Sequence, residues 1–536
     1  MKAPYSRTLF ELLREQAERA PDAPAALTVS SSVTYAQLLD GARRIAAGLR
    51  RRGVGHGDRV AALVCNRVEW LELAFAASAV GAVFVPVSTW STRHELEFLL
   101  SDCAAKILVA HARYGERDFD ADLAALAPEI ADGRRTRRFP TLEGIFLMDR
   151  VEGDAFADYA SLRAAGSWED LAPGEAAGAG DDAFILYTSG SSALPKAVRL
   201  RQGGTIENGF NIGERMALGR DDRVFLSAPL FWSYGSANAM CATFTHGAAL
   251  VLQERFEPGG AMDLIERFGC TAIYTLPGMT RAISAHPGYR ADRLRSLRTG
   301  LTIGAPQEFL FAVTTLGAKE LCNIYGATET YGNCCVTDSR WPLERRAQCQ
   351  GEPLPGNVLR IVEAEGGGAV ARGEPGLVEV RGYVTPGYDG ASSAQNRMAF
   401  TADGFYRTGD VGRLDAEGAF VFIGRNAEMI KRAGINVSPA EVENALLQHP
   451  GVAQVAVVGA PDDDRGEIIV AFVVAGAQLP GAEDLVAHCR SLLSKYKAPD
   501  LISFRSDLPL TTTGKLQRRA LKTLAADLAA GGRSNG

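Results

Sequence analysis

Tyr187 to Val198, YTSGSSALPKAV, follows the apolar run Ala183 to Leu186, which has the length and composition of a buried strand. Small residues such as Gly190 let backbone N–H groups approach an anion closely. Thr188, Ser189, Ser191 and Ser192 add hydroxyl donors, and Lys196 adds a compact positive charge. The stretch can therefore cradle a phosphate, although an isolated Ser/Gly turn of this kind is also an ordinary loop. It is not the GxxxxGK[ST] pattern, because Lys196 follows Pro195 and no Ser or Thr comes next to hold magnesium.

Three further stretches offer matching chemistry. Ile303-Gly304-Ala305-Pro306 precedes Asn323 to Thr330, NIYGATET, in which Tyr325 presents a flat face for a purine and Gly326 permits a tight turn. Thr328 supplies a hydroxyl there, and Glu329 a carboxylate suited to a hard cation. In Tyr406-Arg407-Thr408-Gly409-Asp410, the aspartate can accept two hydrogen bonds from a sugar diol. Near the C-terminus Lys515 lies on a Thr/Gly turn, PLTTTGKLQRRAL; alone, such a lysine is an ordinary solvated one. An ammonium at that point could also stabilise negative charge building on phosphoryl oxygens.

Alternating strand and helix patterns must position these groups. Strands are expected at Arg59 to Val64, Val83 to Val87, Lys106 to Ala110, Arg223 to Ser227, Ala248 to Leu252, Thr271 to Leu276 and Thr299 to Ile303, with helical stretches between. That alternation implies crossover connections and mostly parallel, helix-covered sheets, an α/β fold. Residues 150–182, rich in Ala, Gly and acidic residues, are expected as surface loops. From about Glu365 the pattern changes to short strands and glycine turns, a β-rich subdomain. After Gly424 a compact α+β pattern restarts, which predicts a large N-terminal domain over 1–424 and a small C-terminal one over 425–536.

Composition narrows the class. The 536 residues are 46% hydrophobic and 22% charged, with 57 glycines, as in a large globular α/β enzyme. A net charge of −6 argues against a nucleic-acid partner. Nine cysteines without CxxC spacing suggest buried thiols in a reducing cytoplasm rather than zinc or a disulfide framework. Met1 to Ser6 leads straight into an amphipathic pattern, so no signal peptide is expected. The longest apolar run, Leu73 to Val87, is too short to span a membrane. No repeat or coiled-coil pattern sets an oligomeric state.

In this order the motifs resemble those of the adenylate-forming superfamily of acyl-CoA ligases, peptide-synthetase adenylation domains and luciferases, nearest to acyl-CoA ligases. The first stretch resembles TSG[ST]TGxPKG, the second YGxTE, the third YRTGD and the last TxxGKxxR. The resemblance implies a large nucleotide-binding domain joined to a small mobile C-terminal domain. It implies ATP handling by Thr188 to Ser192 and Lys196, adenine stacking by Tyr325, an α-phosphate contact by Thr328 and magnesium at Glu329. It further makes Asp410 the ribose ligand, Arg425 its neighbour and Lys515 the catalytic lysine. Gly424 to Val437, GRNAEMIKRAGINV, resembles the family hinge, with Ala427 at the pivot and the Gly434 loop lining the channel for coenzyme A. Pro229 to Gly235, PLFWSYG, resembles PLFHxxG, with Trp232 where His is frequent; Trp232, Tyr234 and Gly235 would wall the acid pocket and hint at a ring-bearing acid.

The implied reaction joins a small carboxylic acid to ATP as acyl-AMP, then to the thiol of CoA. Departures keep two other readings open. Ala193 and Ala197 stand where glycine is usual and Ala427 where Asp or Lys is usual, so extra methyls could confine the enzyme to thioesterifying acyl-AMP made by a partner enzyme. Alternatively the acceptor is a free carrier protein, as no carrier-type serine motif is expected after Leu521.

Overall fold

The computed structural model describes residues 3–533, apart from 165–167, 169–175, 189–194, 365–366, 391–392, 433–434, 463–464, 477–478, 494 and 511–515. Two large sheets dominate. One has nine strands, in the spatial order Glu352–Pro353, Cys335–Val336, Glu320–Tyr325, Thr299–Thr302, Ala272–Tyr274, Arg223–Leu226, Ala249–Leu252, Pro24–Leu27 and Ser32–Thr34. Pairing is parallel from Glu320–Tyr325 through to Pro24–Leu27 and antiparallel at both edges. The other has seven strands: Lys196–Arg201, Asp182–Thr188, Val83–Pro86, Arg59–Leu63, Ile107–His111, Gly144–Met148 and Ala157–Asp158. It is parallel except for the pair Asp182–Thr188 and Lys196–Arg201.

Helices Tyr35–Arg51 and Val68–Ala79 belong to one core cluster that takes side chains from both sheets. The second helix is buried on nearly every side, from Trp70 to Ala79, which is why it is mostly apolar and its apolar run from Leu73, broken only by Ser78, continues into strand Val83–Pro86. Expected and observed strands agree to within a few residues. Residues 150–182 differ from a simple surface loop: Asp158 caps a short helix, Tyr159–Arg163, that buries Tyr159 and Leu162. Two buried apolar residues in five are too few for a periodic signal, so the helix was hidden by its length.

The four-stranded antiparallel sheet Val358–Val362, Gly376–Arg381, Tyr406–Leu414 and Phe420–Arg425 forms the β-rich subdomain. Beyond a single turn at Asn426–Glu428, another sheet takes Ile430–Arg432, Ile435–Val437, Val452–Asp462, Gly466–Ala475 and Leu501–Arg505. Helices Pro439–Leu447 and Ala482–Leu492 contribute to one of its apolar clusters, and helix Arg518–Arg533 to another. All nine cysteines are buried thiols. Among the described residues no helix is long and apolar enough to cross a membrane.

Candidate active site

Asp410 lies on strand Tyr406–Leu414, in register with Arg425 on the neighbouring strand. The pairing aligns the two side chains: Arg425 Nε sits 2.8 Å from Asp410 Oδ1. The Tyr325 hydroxyl donates to Asp410 Oδ2 at 2.7 Å. Asp410 is only 3% exposed, and burial pushes its carboxyl above the ordinary aspartate value while Arg425 pulls it back. The Arg425 contact lacks hydrogen-bond alignment, so Oδ1 is a buried acceptor without a donor. Such an atom costs about 1–3 kcal/mol unless a ligand completes it, and a sugar hydroxyl fits that need.

Tyr325 is 5% exposed, packed at 4.3 Å against Phe420 and stacked at 5.9 Å on Phe422. Phe422, at 37% exposure, is an aromatic surface beside the site that sequence reasoning missed. Its place three residues before Arg425 on one strand was the available signal. Gly326 answers a steric demand, since a Cβ there would lie 2.4 Å from the Gly332 carbonyl oxygen and 2.5 Å from Asn333 Cα. Ala305 precedes helix Pro306–Leu316 with proline at its first position, so the Gly304-Ala305-Pro306 turn is a helix entry; Asn323 Nδ2 donates to Gly304 O at 3.2 Å.

Thr188 and Lys196 face each other as the last described pair of the antiparallel arms that lead into 189–194. Ser189, Gly190, Ser191, Ser192 and Ala193 lie outside the described residues. The methyl crowding anticipated at Ala197 does not occur: the residue lies in an ordinary extended strand, 3% exposed, and its side chain belongs to an apolar core cluster. Nor does Ala197 occupy a left-handed position that would call for glycine. The Glu329 carboxylate accepts a 3.0 Å hydrogen bond from the Tyr388 hydroxyl, a partner the sequence did not signal.

At the other end of the site, Trp232 meets the Trp90 ring edge-on at 5.2 Å. Phe231 also meets Trp90 at 5.2 Å. Trp90 comes from a distant loop and is exposed. Tyr234 opens a seven-residue π-helix, Tyr234–Met240, and its hydroxyl donates to the Thr275 and Leu301 carbonyls at 3.1 and 2.9 Å. Gly235 is required by close packing, because a Cβ would fall 2.3 Å from Pro229 O. Ser233 Oγ and Thr328 Oγ1 are 3.0 Å apart, joining the aromatic wall to the YGATE turn.

Ala427 is exposed in the Asn426–Glu428 turn. Gly434 and Lys515 lie outside the described residues. The motif's last residue, Arg518, is described: it binds Glu443 at 2.9 Å, Glu428 at 3.1 Å and the Val457 carbonyl at 2.8 Å. It thereby ties the start of the C-terminal helix to the inter-sheet turn.

This fold and these motifs define an adenylate-forming enzyme. The family model for AMP-binding enzyme matches residues 13–389, and that for the AMP-binding enzyme C-terminal domain matches residues 441–515. The chain belongs to the AMP-binding enzyme family, as an AMP-forming acid–thiol ligase. A feruloyl-CoA synthase from Amycolatopsis sp is 34% identical over 505 residues, spanning 94% of this chain and 96% of that one. The structure of ATP-bound MatB from Rhodopseudomonas palustris matches with a TM-score of 0.85 at 27% identity, over 97% of this chain and 99% of that one. The anthranilate CoA ligase AuaEII in complex with anthranoyl-AMP matches with a TM-score of 0.85 at 26% identity, over 99% and 100%.

Proposed function

We propose that the protein activates a bulky, ring-bearing carboxylic acid with Mg·ATP and passes the acyl group to CoA. The observation that carries this reading is the 3.0 Å contact between Ser233 and Thr328. It brings an aromatic wall next to the hydroxyl that, by family resemblance, meets the α-phosphate. In the first half-reaction a carboxylate oxygen attacks the α-phosphorus and pyrophosphate leaves. In the second, the CoA thiol sulfur attacks the acyl carbonyl while its proton passes to solvent, and AMP leaves with the electron pair of the broken C–O bond.

Each group has a part that follows from its chemistry. Asp410 Oδ1 takes a ribose hydroxyl, while Tyr325 and Arg425 hold that carboxylate in place. Thr188 to Ser192 with Lys196 hold the leaving phosphates, and Lys515 stabilises the charge of the transition state. Glu329 would hold magnesium together with phosphate oxygens, and the ion would draw charge off the leaving group. Trp232, Tyr234 and Gly235 shape the acid pocket. Rotation about Ala427 exchanges Lys515 for the Gly434 loop and lets the thiol in, so residues 425–536 act as the moving domain. The names of two relatives, a feruloyl-CoA synthase and an anthranilate CoA ligase, support an aromatic acid.

The test is acid-dependent exchange of labelled pyrophosphate into ATP over a panel of aromatic, alicyclic and fatty acids. Synthetic acyl-AMP is offered in parallel with CoA or with a carrier-protein thiol. Exchange and CoA thioester formation with one ring-bearing acid are expected. Thioester from acyl-AMP without any exchange would overturn the adenylation step and point to a partner enzyme as the adenylate source. Turnover with the carrier alone would replace CoA as acceptor.

A further inference from the structure

Tyr388 lies between the two charged groups that the proposed function assigns to phosphate and metal. Its hydroxyl donates to Glu329 Oε1 at 3.0 Å, and the Lys196 ammonium sits 5.1 Å from the centre of its ring. The Tyr406 hydroxyl lies 3.3 Å from that of Tyr388.

The segment carrying Tyr388 is fastened to both of those neighbours. Tyr388 bridges Val198, and Asp389 N donates to Ala197 O at 2.8 Å, which ties it to the strand beginning at Lys196. Thr385 N donates to the Glu329 carbonyl at 2.7 Å, which ties it to the YGATE turn. Asn396 Oδ1 accepts from Tyr388 N at 2.9 Å and fixes the backbone from the third side. Gly387, just before, has φ +136, and a Cβ there would lie 2.9 Å from Asn396 Oδ1.

We infer that Tyr388 is a positioning residue that keeps Lys196 and Glu329 apart and aimed. A lysine and a glutamate free to meet would pair with each other and be lost to ligands. Here the ring face satisfies the cation and the hydroxyl satisfies one carboxylate oxygen. Among the described residues Lys196 makes no ion pair. The inference rests on the proposed roles of Lys196 and Glu329.

The test measures nucleotide binding by calorimetry, with AMP, with metal-free ATP, and with ATP under rising magnesium. In Tyr388→Phe the magnesium concentration that half-saturates the tightening of ATP binding should rise about tenfold, with AMP affinity changed less than about twofold. In a Glu329→Gln background the same substitution should add nothing. Tyr388→Leu, which also removes the ring, should in addition weaken metal-free ATP by about threefold. Unchanged magnesium dependence in Tyr388→Phe, or an equal loss of AMP affinity, would overturn the positioning role. Wild-type ATP binding that ignores magnesium would overturn the Glu329 assignment and this inference with it.

Discussion

The two ends of the proposed site are built by different means. At the nucleotide end the described functional side chains are held by polar partners: Tyr325 and Arg425 on Asp410, Tyr388 on Glu329. At the acid end Trp232 is held by ring edges from Trp90 and Phe231, and Tyr234 by two backbone carbonyls. Hydrogen bonds fix a group to within a few tenths of an ångström and tolerate little change in residue type. Ring contacts fix a volume, and many apolar side chains can share that task. On the proposed roles, the polar end suits a constant ligand, and the aromatic end a ligand that can differ from one relative to another.

The largest expected effect breaks the polar end. Asp410→Asn keeps the shape but leaves one acceptor oxygen where the carboxylate had two, and it removes the charge that faces Arg425. AMP and ATP should bind about a hundredfold more weakly by calorimetry, because a charge-assisted pair and its neighbour are lost together. Thermal stability should hold or rise, since burial already disfavours this charge. Unchanged AMP affinity would remove Asp410 from the ribose site.

A buried carboxylate away from the cleft sharpens the contrast. Glu72 accepts from Arg163 at 3.0 Å and from the Tyr159 hydroxyl at 3.4 Å, and burial lifts it from 4.5 to about 7. Unlike Asp410, it has no orphaned oxygen. Its folded value lies above its unfolded one, so between pH 4.5 and 7 the folded state holds the proton longer. Stability then falls as pH rises through that window and stays lower above it. Glu72→Gln has no such titration. Its stability relative to wild type, from urea melts, should improve by about 2–3 kcal/mol between pH 5 and pH 8. A difference that stays flat with pH would mean that Arg163 keeps Glu72 ionised throughout.

The same contrast explains what could be seen in advance. Tyr325 and Glu329 lie in runs whose spacing is set by a strand end or a tight turn, and Asp410 lies within one strand of a short fixed run, so residue type and order already point to a ligand. Parallel α/β layering was legible because its strands are short apolar runs separated by helical periods. Trp90 and Tyr388 were not, since each comes from a separate segment and acquires its neighbour only through packing. The π-helix at Tyr234 has no periodicity that distinguishes it from an α-helix over seven residues. Ala197 misled for a related reason: a motif position usually held by glycine suggested a special backbone, whereas the strand pairing with Tyr187 leaves the residue extended and turns its methyl into the core.

The smallest effect tests the apolar end. Trp232→Leu keeps an apolar side chain but loses the edge contact to Trp90, worth about 0.5–1.5 kcal/mol. With a ring-bearing acid, kcat/KM should fall about three- to tenfold, while AMP affinity should stay within about twofold, because Asp410 and Glu329 are held by other partners. Trp90→Leu should give a similar loss, and the double variant less than the product of the two, since either change removes the same ring pair. Full additivity would mean that each tryptophan meets the acid separately. An equal fall in AMP affinity would mean that the Ser233 to Thr328 contact couples the two ends, so that the wall shapes the nucleotide site as well as the acid pocket.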